Sequence, residues 1–306
     1  MIYDLIIIGS GAAGLSAGIY AGRYLMRALV LGKEFGGETA KAGDILNYPG
    51  FQSVDGYELV NLMKQQAAKL NVETIDAEVA SITRQGHRFT IVTDKKTYEA
   101  GAVILAVGAE RRRLGLPNEK ELTSRGVHYC VTCDGPVYAG KTIAIVGGGD
   151  SSVRGAILAA EYAKKIFLIA RRQEITAEPI NLDYLQKLKD KVEIIFETEV
   201  KGIIGKNKLE KLILSRPHKD SAELIVDGLF VEIGATPNVS LAESLGVELG
   251  ERGYIKVDNM MRTNIDGVFA AGDVVDHFGS FKQDIAAAAM GAVAANSAYN
   301  DHKIHG

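Results

Sequence analysis

The sequence predicts an α/β protein of two nested dinucleotide-binding domains, Rossmann-like and three-layered, with the second domain inserted into the first. A strand–glycine loop–helix unit occurs twice, at Gly9 and at Gly147, 138 residues apart (147 − 9). The strands of both units are continuous apolar runs, which is typical of parallel strands covered on both faces. The elements that follow each unit also match in content and order.

The first half opens with an apolar strand over residues 3–8, a glycine loop and a small-residue helix to about Tyr24. A strand follows at 27–31, and apolar spacing over 57–70 predicts an amphipathic helix. Further strands are predicted at 79–82, 89–92, 97–99 and 102–107.

The second half repeats this order with a strand over 141–146, a helix to about Ala163, a strand over 165–170 and a helix near 182–188. Later strands are predicted near 192–196, 209–215, 223–226 and 229–233, then a strand within 267–273 and a helix over 283–299. This tail completes the first domain. We therefore expect a discontinuous domain of residues 1–112 and 240–306, and an inserted domain of residues 113–239.

Composition limits the classes of function. Of 306 residues, 47% are hydrophobic and 24% are charged, which excludes a disordered chain. The net charge of −3 gives no general attraction to nucleic acid. No apolar run approaches the ~18 residues of a membrane span, and the N-terminus lacks the basic region of a signal peptide. We expect a soluble, cytoplasmic protein that binds neither nucleic acid nor membrane.

The first glycine loop, Gly9-x-Gly11-x-x-Gly14, lies directly after a strand and opens a helix. The first glycine permits a tight turn, the second lets the backbone approach a pyrophosphate, and the third allows close packing of helix on strand. The acid usual at the end of the next strand is absent, since Lys33 stands there. Glu34 or backbone groups are then expected to bind the ribose.

The second glycine loop, Gly147-x-Gly149-x-x-Ser152, replaces the third glycine by another small residue. Arg171 and Arg172 lie at the end of the next strand, where a carboxylate would favour NAD. Guanidinium groups bind phosphate in a bidentate manner, so this pair favours the 2′-phosphate of NADP.

Cys130 and Cys133 are the only cysteines of the chain. Two cysteines exclude a secreted disulfide scaffold, and a structural zinc site lacks its ligands. A CxxC at a helix start can close a small disulfide ring, and the helix dipole lowers the pKa of a thiol there. Asp134 is placed to exchange the proton that thiol chemistry requires. The six histidines show no ligand spacing and are expected to be surface or hydrogen-bonded polar residues.

In combination these motifs resemble the low-molecular-weight thioredoxin reductases over essentially the whole chain. The matching stretches, in order, are GSGAAG (9–14), FGGE (35–38), NYPG (47–50), CVTCDG (130–135), GGGDSS (147–152), ARR (170–172), GATPN (234–238), GVFAAGD (267–273) and FKQ (281–283). The resemblance implies FAD in the discontinuous domain, NADPH in the inserted domain, and a homodimer.

Carried over by position, the resemblance implies two sets of cofactor-binding residues. FAD would contact Gly9, Gly11, Ala12, Ala13, Gly14, Gly36, Gly37, Glu38, Asn47, Val79, Ala109, Gly272, Asp273, Val274, Lys282 and Gln283, in addition to Glu34, which is expected because the usual acid is absent. NADPH would contact Gly149, Asp150, Ser151, Ser152, Arg171, Arg172 and Gly234.

The implied activity is that of a thioredoxin-disulfide reductase, in which electrons pass from NADPH through FAD and the Cys130–Cys133 disulfide to a thioredoxin-like protein. Cys133 would lie nearer the flavin, Cys130 would attack the partner disulfide, and Asp134 would serve as acid and base. The segments that cross between the domains are then expected to act as hinges.

The sequence also departs from the family pattern. Arg154-Gly155 stands where a Glu-Glu pair is usual, Lys282 stands where Arg is usual, and Ala170 and Thr176 replace the first and last residues of the HRRxxxR motif. The alternative is therefore the same flavin–disulfide reductase with another donor: ferredoxin, a deazaflavin or NADH. A redox-sensing or scaffold protein without turnover is a further alternative, which the retained CVTCDG disfavours.

Overall fold

The computed structural model describes residues 2–279 and 281–305, with side chains up to residue 303. The strands are β1 Ile2–Ile8, β2 Ala28–Gly32, β3 Asp44–Ile45, β4 Val54–Asp55, β5 Glu73–Asp76, β6 Val79–Gln85, β7 Arg88–Thr93, β8 Thr97–Leu105, β9 Ala109–Arg111, β10 Val127–His128, β11 Thr142–Val146, β12 Lys165–Ile169, β13 Val192–Ile195, β14 Val200–Ile204, β15 Lys211–His218, β16 Ser221–Ile225, β17 Gly228–Val231, β18 Ala235–Pro237 and β19 Val268–Ala270. The helices are α1 Ala12–Arg23, α2 Gly37–Ala40, α3 Gly56–Ala68, α4 Val131–Asp134, α5 Asp150–Ala159, α6 Pro179–Gln186, α7 Ser240–Ser244 and α8 Asp284–His305, with a 3₁₀ turn at Gly135–Tyr138.

The chain forms two compact units. Unit 1 comprises Met1–Glu110 and Pro237–Gly306, and unit 2 comprises Arg111–Thr236. These boundaries can be compared with the predicted ones, which fall at 112/113 and 239/240. Which cofactor each unit binds stays a prediction.

The main sheet of unit 1 has the strand order β5-β2-β1-β8-β7-β6, and β19 also pairs with β8. Strands β5, β2, β1, β8 and β19 are parallel, whereas β7 and β6 extend the sheet in antiparallel fashion. The two strands predicted at 97–99 and 102–107 are in fact one strand, β8. The sequence divides it because the apolar pattern is interrupted near Gly101. The strand continues because it pairs with β1 on both sides of Gly101, while along its other edge the first half pairs with β7 and the second half with β19.

Helices α1 and α8 of unit 1 pack closely because small residues face their neighbours. A methyl group at Gly18 of α1 would lie 3.1 Å from the side chain of Val30 in β2. One at Gly291 of α8 would overlap the backbone of Ala13 at the start of α1. The contact between the two helices therefore holds the first turn of α1 against the chain's last helix.

Unit 2 contains a parallel sheet of order β10-β17-β11-β12-β13 and an antiparallel sheet of order β14-β15-β16. Alternate residues of β11 enter different clusters. Ile143 and Ile145 pack with residues of α5, whereas Ala144 and Val146 pack with residues of β14, β15 and β16. The parallel sheet thus lies between a helical layer and a β layer, and the predicted α/β fold class is confirmed.

The chain passes between the units along β9 and β18, which pair with each other. The Arg112 N–H donates to the Gly234 carbonyl (2.9 Å), and the Asn238 N–H donates to the Gly108 carbonyl (3.1 Å). Because these bonds join residues in opposite order, the two strands are antiparallel.

Several element ends differ from the sequence prediction. Helix α5 ends at Ala159 rather than near Ala163, because residues 160–163 form a tight turn into β12. Strand β14 was not predicted, because Lys201 and Gly202 interrupt its apolar pattern. Every helix within the described residues is too short or too polar to cross a lipid bilayer.

Candidate functional site

The glycine loop of unit 1 contains two glycines that the fold itself requires. After β1 the chain turns through Gly9, whose φ of +116° lies in the region that favours glycine. A side chain at Gly9 would overlap the backbone of Ala106 beyond β8. One at Gly14 would overlap the carbonyl of Gly9, so helix α1 can approach the strand only with glycine there.

Gly11 lies in the same loop, but the fold leaves space beside it. Its backbone is extended (φ −78°, ψ −171°), and the nearest heavy atom to an added Cβ, the Gly36 carbonyl oxygen, is 3.6 Å away. Helix α1 also begins without a side-chain cap and without an acid in its first turn. By contrast, Asp55 caps α3 by accepting bonds from the N–H groups of residues 57 and 58. An open loop and uncapped N–H groups fit the pyrophosphate of a dinucleotide such as FAD.

Lys41 links two predicted FAD residues of unit 1. Its Nζ donates to Glu34 Oε2 (2.7 Å) and to Glu38 Oε1 (3.3 Å). The hydrogen bond from Lys41 lowers the pKa of the Glu34 carboxyl below its usual value. Gly36, in the left-handed region (φ +75°), and Gly37 begin α2 beside this group.

The structure also brings together predicted FAD residues that lie far apart in sequence. The Asn47 amide donates to Gln283 Oε1 (2.9 Å). A Cβ at Gly272, which follows β19, would lie 2.9 Å from the Cβ of Ala13. The segment after β19 therefore reaches the first turn of α1, where Ala12 is also buried.

Asp273 and Lys282 follow β19 in the same region. Burial raises the pKa of the Asp273 carboxyl, and the nearby Lys282 opposes this shift. Burial lowers the pKa of Lys282, whose Nζ donates to the carbonyls of Val275 and Asp273. Val274, the residue after Asp273, is fully buried. A shielded carboxylate suits a hydrogen bond from a ligand hydroxyl.

Two further predicted FAD residues, Val79 and Ala109, are the first residues of β6 and β9, and both are half-buried.

The glycine loop of unit 2, like that of unit 1, contains one glycine that the fold requires and one that has open space beside it. Gly147 (φ +149°) has no room for a side chain, which would overlap the Glu232 carbonyl. Gly149 is extended (φ −101°, ψ −178°), has no heavy atom within 4 Å of an added Cβ, and begins α5 without a side-chain cap. Ser152 is fully buried, and its hydroxyl donates to the Gly149 carbonyl (2.7 Å). This loop fits a second dinucleotide.

Arg171 and Arg172 follow β12 and are exposed. The Thr176 N–H donates to the Gly148 carbonyl (2.7 Å). Thr176 occupies the position of the last arginine in the HRRxxxR motif of the family that the sequence resembles. This position therefore lies beside the glycine loop.

The other predicted nucleotide residues also lie near this loop. Asp150 Oδ1 accepts from the Glu178 N–H and from the Asn181 amide, both at 2.9 Å. Ser151 is exposed on the first turn of α5. Gly234 (φ +93°) follows β17, which is parallel to β11 and ends at the same sheet edge.

The two cysteines form a disulfide at the start of α4 in unit 2, with their Cα atoms 5.4 Å apart. Cys130 is the N-cap residue, and its Sγ accepts from the Cys133 N–H (3.1 Å). Asp134 follows directly, with 45% of its side chain exposed.

His128 contacts Asp134, a role that the sequence prediction missed. Only 7% of its side chain is exposed, and Nδ1 lies 3.1 Å from Asp134 Oδ2. Nε2 lies 2.8 Å from the Tyr138 hydroxyl, and the ring stacks on Phe230. The expectation of a hydrogen-bonded polar residue fits this histidine, but no spacing in the sequence pointed to the carboxylate.

Comparison with known sequences decides the family. The sequence model of the pyridine nucleotide-disulphide oxidoreductase family matches residues 3–294. The chain belongs to this family. The thioredoxin reductase of Mycolicibacterium smegmatis is 39% identical to this oxidoreductase over 297 residues, which cover 96% of this chain and 94% of the relative.

Two solved structures are also similar to this oxidoreductase. The thioredoxin reductase of T. acidophilum has a TM-score of 0.91 and 36% identity, covering 98% of each chain. The ferredoxin-flavin thioredoxin reductase of Clostridium acetobutylicum has a TM-score of 0.52 and 34% identity, covering 99% of this chain and 98% of the other.

Membership confirms the resemblance to low-molecular-weight thioredoxin reductases and the predicted enzyme class, a flavin-dependent disulfide oxidoreductase. It also agrees with the predicted cofactors, FAD and NADPH. The role of each site residue stays a prediction.

Proposed function

We propose that this oxidoreductase is a thioredoxin reductase that takes electrons from NADPH. The observation that carries the proposal is the Cys130–Cys133 disulfide with Asp134 beside it, in a chain that also holds two open glycine loops. The similarity to thioredoxin reductases over nearly the whole chain supports the same conclusion.

FAD would be held in unit 1 at Gly11 and the first turn of α1, with Asn47, Asp273, Lys282 and Gln283 toward its other end. NADPH would be held in unit 2 at Gly149, with Arg171 and Arg172 at its 2′-phosphate. When bound, these cofactors supply the electron pair that opens the disulfide.

The chain's own residues then perform thiol–disulfide exchange. Reduction of the Cys130–Cys133 disulfide takes up two electrons and two protons and gives two thiols. The Cys130 thiolate attacks the disulfide of the thioredoxin-like partner, and a mixed disulfide forms as one partner thiolate leaves. Cys133 attacks the mixed disulfide, which releases the second partner thiolate and restores the Cys130–Cys133 bond. Asp134 takes a proton from the attacking thiol and returns it to the leaving one.

The proposal is tested with the FAD-loaded protein, NADPH and a bacterial thioredoxin. We expect NADPH to bleach the flavin band anaerobically at near-stoichiometric amounts, and thioredoxin to be reduced catalytically. Bleaching by NADPH without reduction of thioredoxin would exclude the proposed substrate.

A second candidate is the same reductase with a different donor, such as NADH, ferredoxin or a deazaflavin. The observation in its favour is Thr176, which lies beside the glycine loop where the resembled family has an arginine. A flavin band that neither nucleotide bleaches, but that reduced ferredoxin does, would support this candidate over NADPH.

The substitution Thr176→Arg tests the nucleotide site. We expect the KM for NADPH to fall about tenfold, because one charge-assisted phosphate contact contributes roughly 1.5–3 kcal/mol. The KM for NADH should stay within about twofold, since NADH lacks the 2′-phosphate. Steady-state kinetics with both nucleotides measure this, with Thr176→Gln as a control for side-chain length. An equal fall for NADH would show that position 176 does not face the 2′-phosphate.

The homodimer and the cytoplasmic location are part of the proposal; the homodimer is carried by the resemblance, and the location by the expectation from the sequence. Sedimentation of the FAD-loaded protein tests the homodimer.

A further inference from the structure

We propose that His128 is a positioning residue for Asp134 and fixes this carboxylate beside the redox-active disulfide. The inference deepens the proposed function, because it rests on the Cys130–Cys133 disulfide as the reacting group.

The backbone and the ring of His128 are both held in place. His128 is the last residue of β10 and pairs with Phe230 of β17. Its ring stacks on the Phe230 ring (centroids 5.3 Å apart, planes at 24°) and meets the Tyr138 ring edge-on (5.4 Å, 75°). His128, Tyr138 and Phe230 are all buried. The imidazole therefore has one orientation, unlike the half-exposed Asp134 that it contacts.

The contacts of the ring assign its proton. The 3.1 Å contact between His128 Nδ1 and Asp134 Oδ2 is an ion-pair distance, and because an ionised carboxylate can only accept, the proposal assigns the proton to Nδ1. In the neutral ring Nε2 then accepts, and the Tyr138 hydroxyl donates to it across 2.8 Å. Burial raises the pKa of the Tyr138 hydroxyl, so Tyr138 keeps the proton that it donates.

The contacts of His128 with Tyr138 and Asp134 lead to the end of a very short helix. Helix α4 has only four residues, and Asp134 is the last of them. In the proposal, the 3.1 Å contact with His128 restrains Asp134 Oδ2, and Oδ1 is then the oxygen that exchanges a proton with a thiol. Proton transfer depends steeply on the position of the acid or base. The contact between His128 and Asp134 is therefore expected to affect the rate of thiol–disulfide exchange.

The test uses three variants that separate the two ring nitrogens. Asn places its amide nitrogen near the position of Nδ1, Gln places a polar atom near Nε2, and Phe keeps only the stacked ring. In the FAD-loaded full chain, we measure the rate of disulfide reduction by dithiothreitol, counting thiols after an acid quench. We expect His128→Asn to stay within about threefold of the wild type, and His128→Gln and His128→Phe to fall about tenfold.

Two controls separate positioning from a general structural effect. In an Asp134→Asn background, His128→Phe should slow the reaction no further, because its effect passes through the carboxylate. His218 of the same unit contacts Glu193 (2.9 Å) in a comparable histidine–carboxylate pair, and His218→Phe should leave the rate unchanged. The reaction with dithiothreitol needs neither thioredoxin nor NADPH, so failure of the proposed function would not produce failure here.

Equal loss in all three His128 variants, loss in none, or a further tenfold loss in the Asp134→Asn background would overturn the proposal. The protonation state of the wild-type ring gives a measurement without mutation. Nitrogen-15 chemical shifts of the histidines should show a proton on Nδ1 of His128, and an unprotonated Nδ1 would also overturn it.

Discussion

Replacing Cys133 by serine is expected to abolish reduction of thioredoxin, by roughly 10³-fold or more, while reduction of the flavin by its nucleotide donor persists. A serine hydroxyl cannot form a disulfide, so the chain can neither store the electron pair at α4 nor resolve a mixed disulfide. Thioredoxin turnover measures the overall reaction, and anaerobic bleaching of the flavin measures its reduction by the nucleotide donor.

The matched variant is Cys130→Ser, which should lose thioredoxin turnover equally but should not form a covalent adduct with thioredoxin. Cys133→Ser keeps the Cys130 thiol that attacks the partner, so incubation with a thioredoxin activated as a mixed disulfide should leave a stable covalent adduct, visible by mass. Cys130→Ser should form none. An adduct with Cys130→Ser alone would reverse the assigned roles of the two cysteines.

The second large effect concerns the two glycines that have open space beside them. Gly11→Val is expected to yield protein purified with less than about a tenth of the normal flavin content. Gly149→Val should keep its flavin but raise the KM for NADPH about a hundredfold. The physical reason is the same in both loops. The extended backbone accepts a side chain, and a Cβ at Gly11 or Gly149 would have no heavy atom of the chain closer than 3.6 Å, so we expect valine to exclude the dinucleotide more than it disturbs the fold.

The two variants control each other, because each should lose one cofactor and keep the other. Their thermal unfolding midpoints, measured after removal of both cofactors, should match that of the wild type. Gly14→Val gives the contrasting case, since its side chain would overlap the Gly9 carbonyl and should lower the midpoint itself. Normal flavin content in Gly11→Val would show that the dinucleotide does not lie against this loop.

The glycine loops and the strands beside them could be predicted because their signals are local. A run such as Leu5–Ile8 and the glycines after it dictate a buried strand and a tight turn without reference to the rest of the chain. Strand β8 shows the limit, because Gly101 interrupts its apolar pattern and its continuity comes from its tertiary partners: β1 along one edge, and β7 and then β19 along the other.

The same limit applies to the candidate site. The sequence predicts Cys130, Cys133 and Asp134 because they form one short motif. It does not predict His128 beside Asp134, since that contact depends on the pairing of His128 with Phe230, about a hundred residues later. The link between Asn47 and Gln283 is likewise made only by the fold. Positions that are joined by tertiary packing leave no periodic signal in one sequence.

The antiparallel pairing of β9 with β18 means that the inserted segment leaves the chain next to where it enters. Neighbouring strands lie about 4.8 Å apart, so excising residues 111–236 would leave two ends that a few glycines could rejoin. The excised segment has apolar clusters of its own, distinct from that of unit 1. Its two ends are adjacent as well, which suits circular permutation. The insertion can therefore be exchanged as one unit. If unit 2 binds the electron donor, as proposed, replacing it with the corresponding unit of a relative that uses another donor should change the reductant and leave unit 1 unchanged.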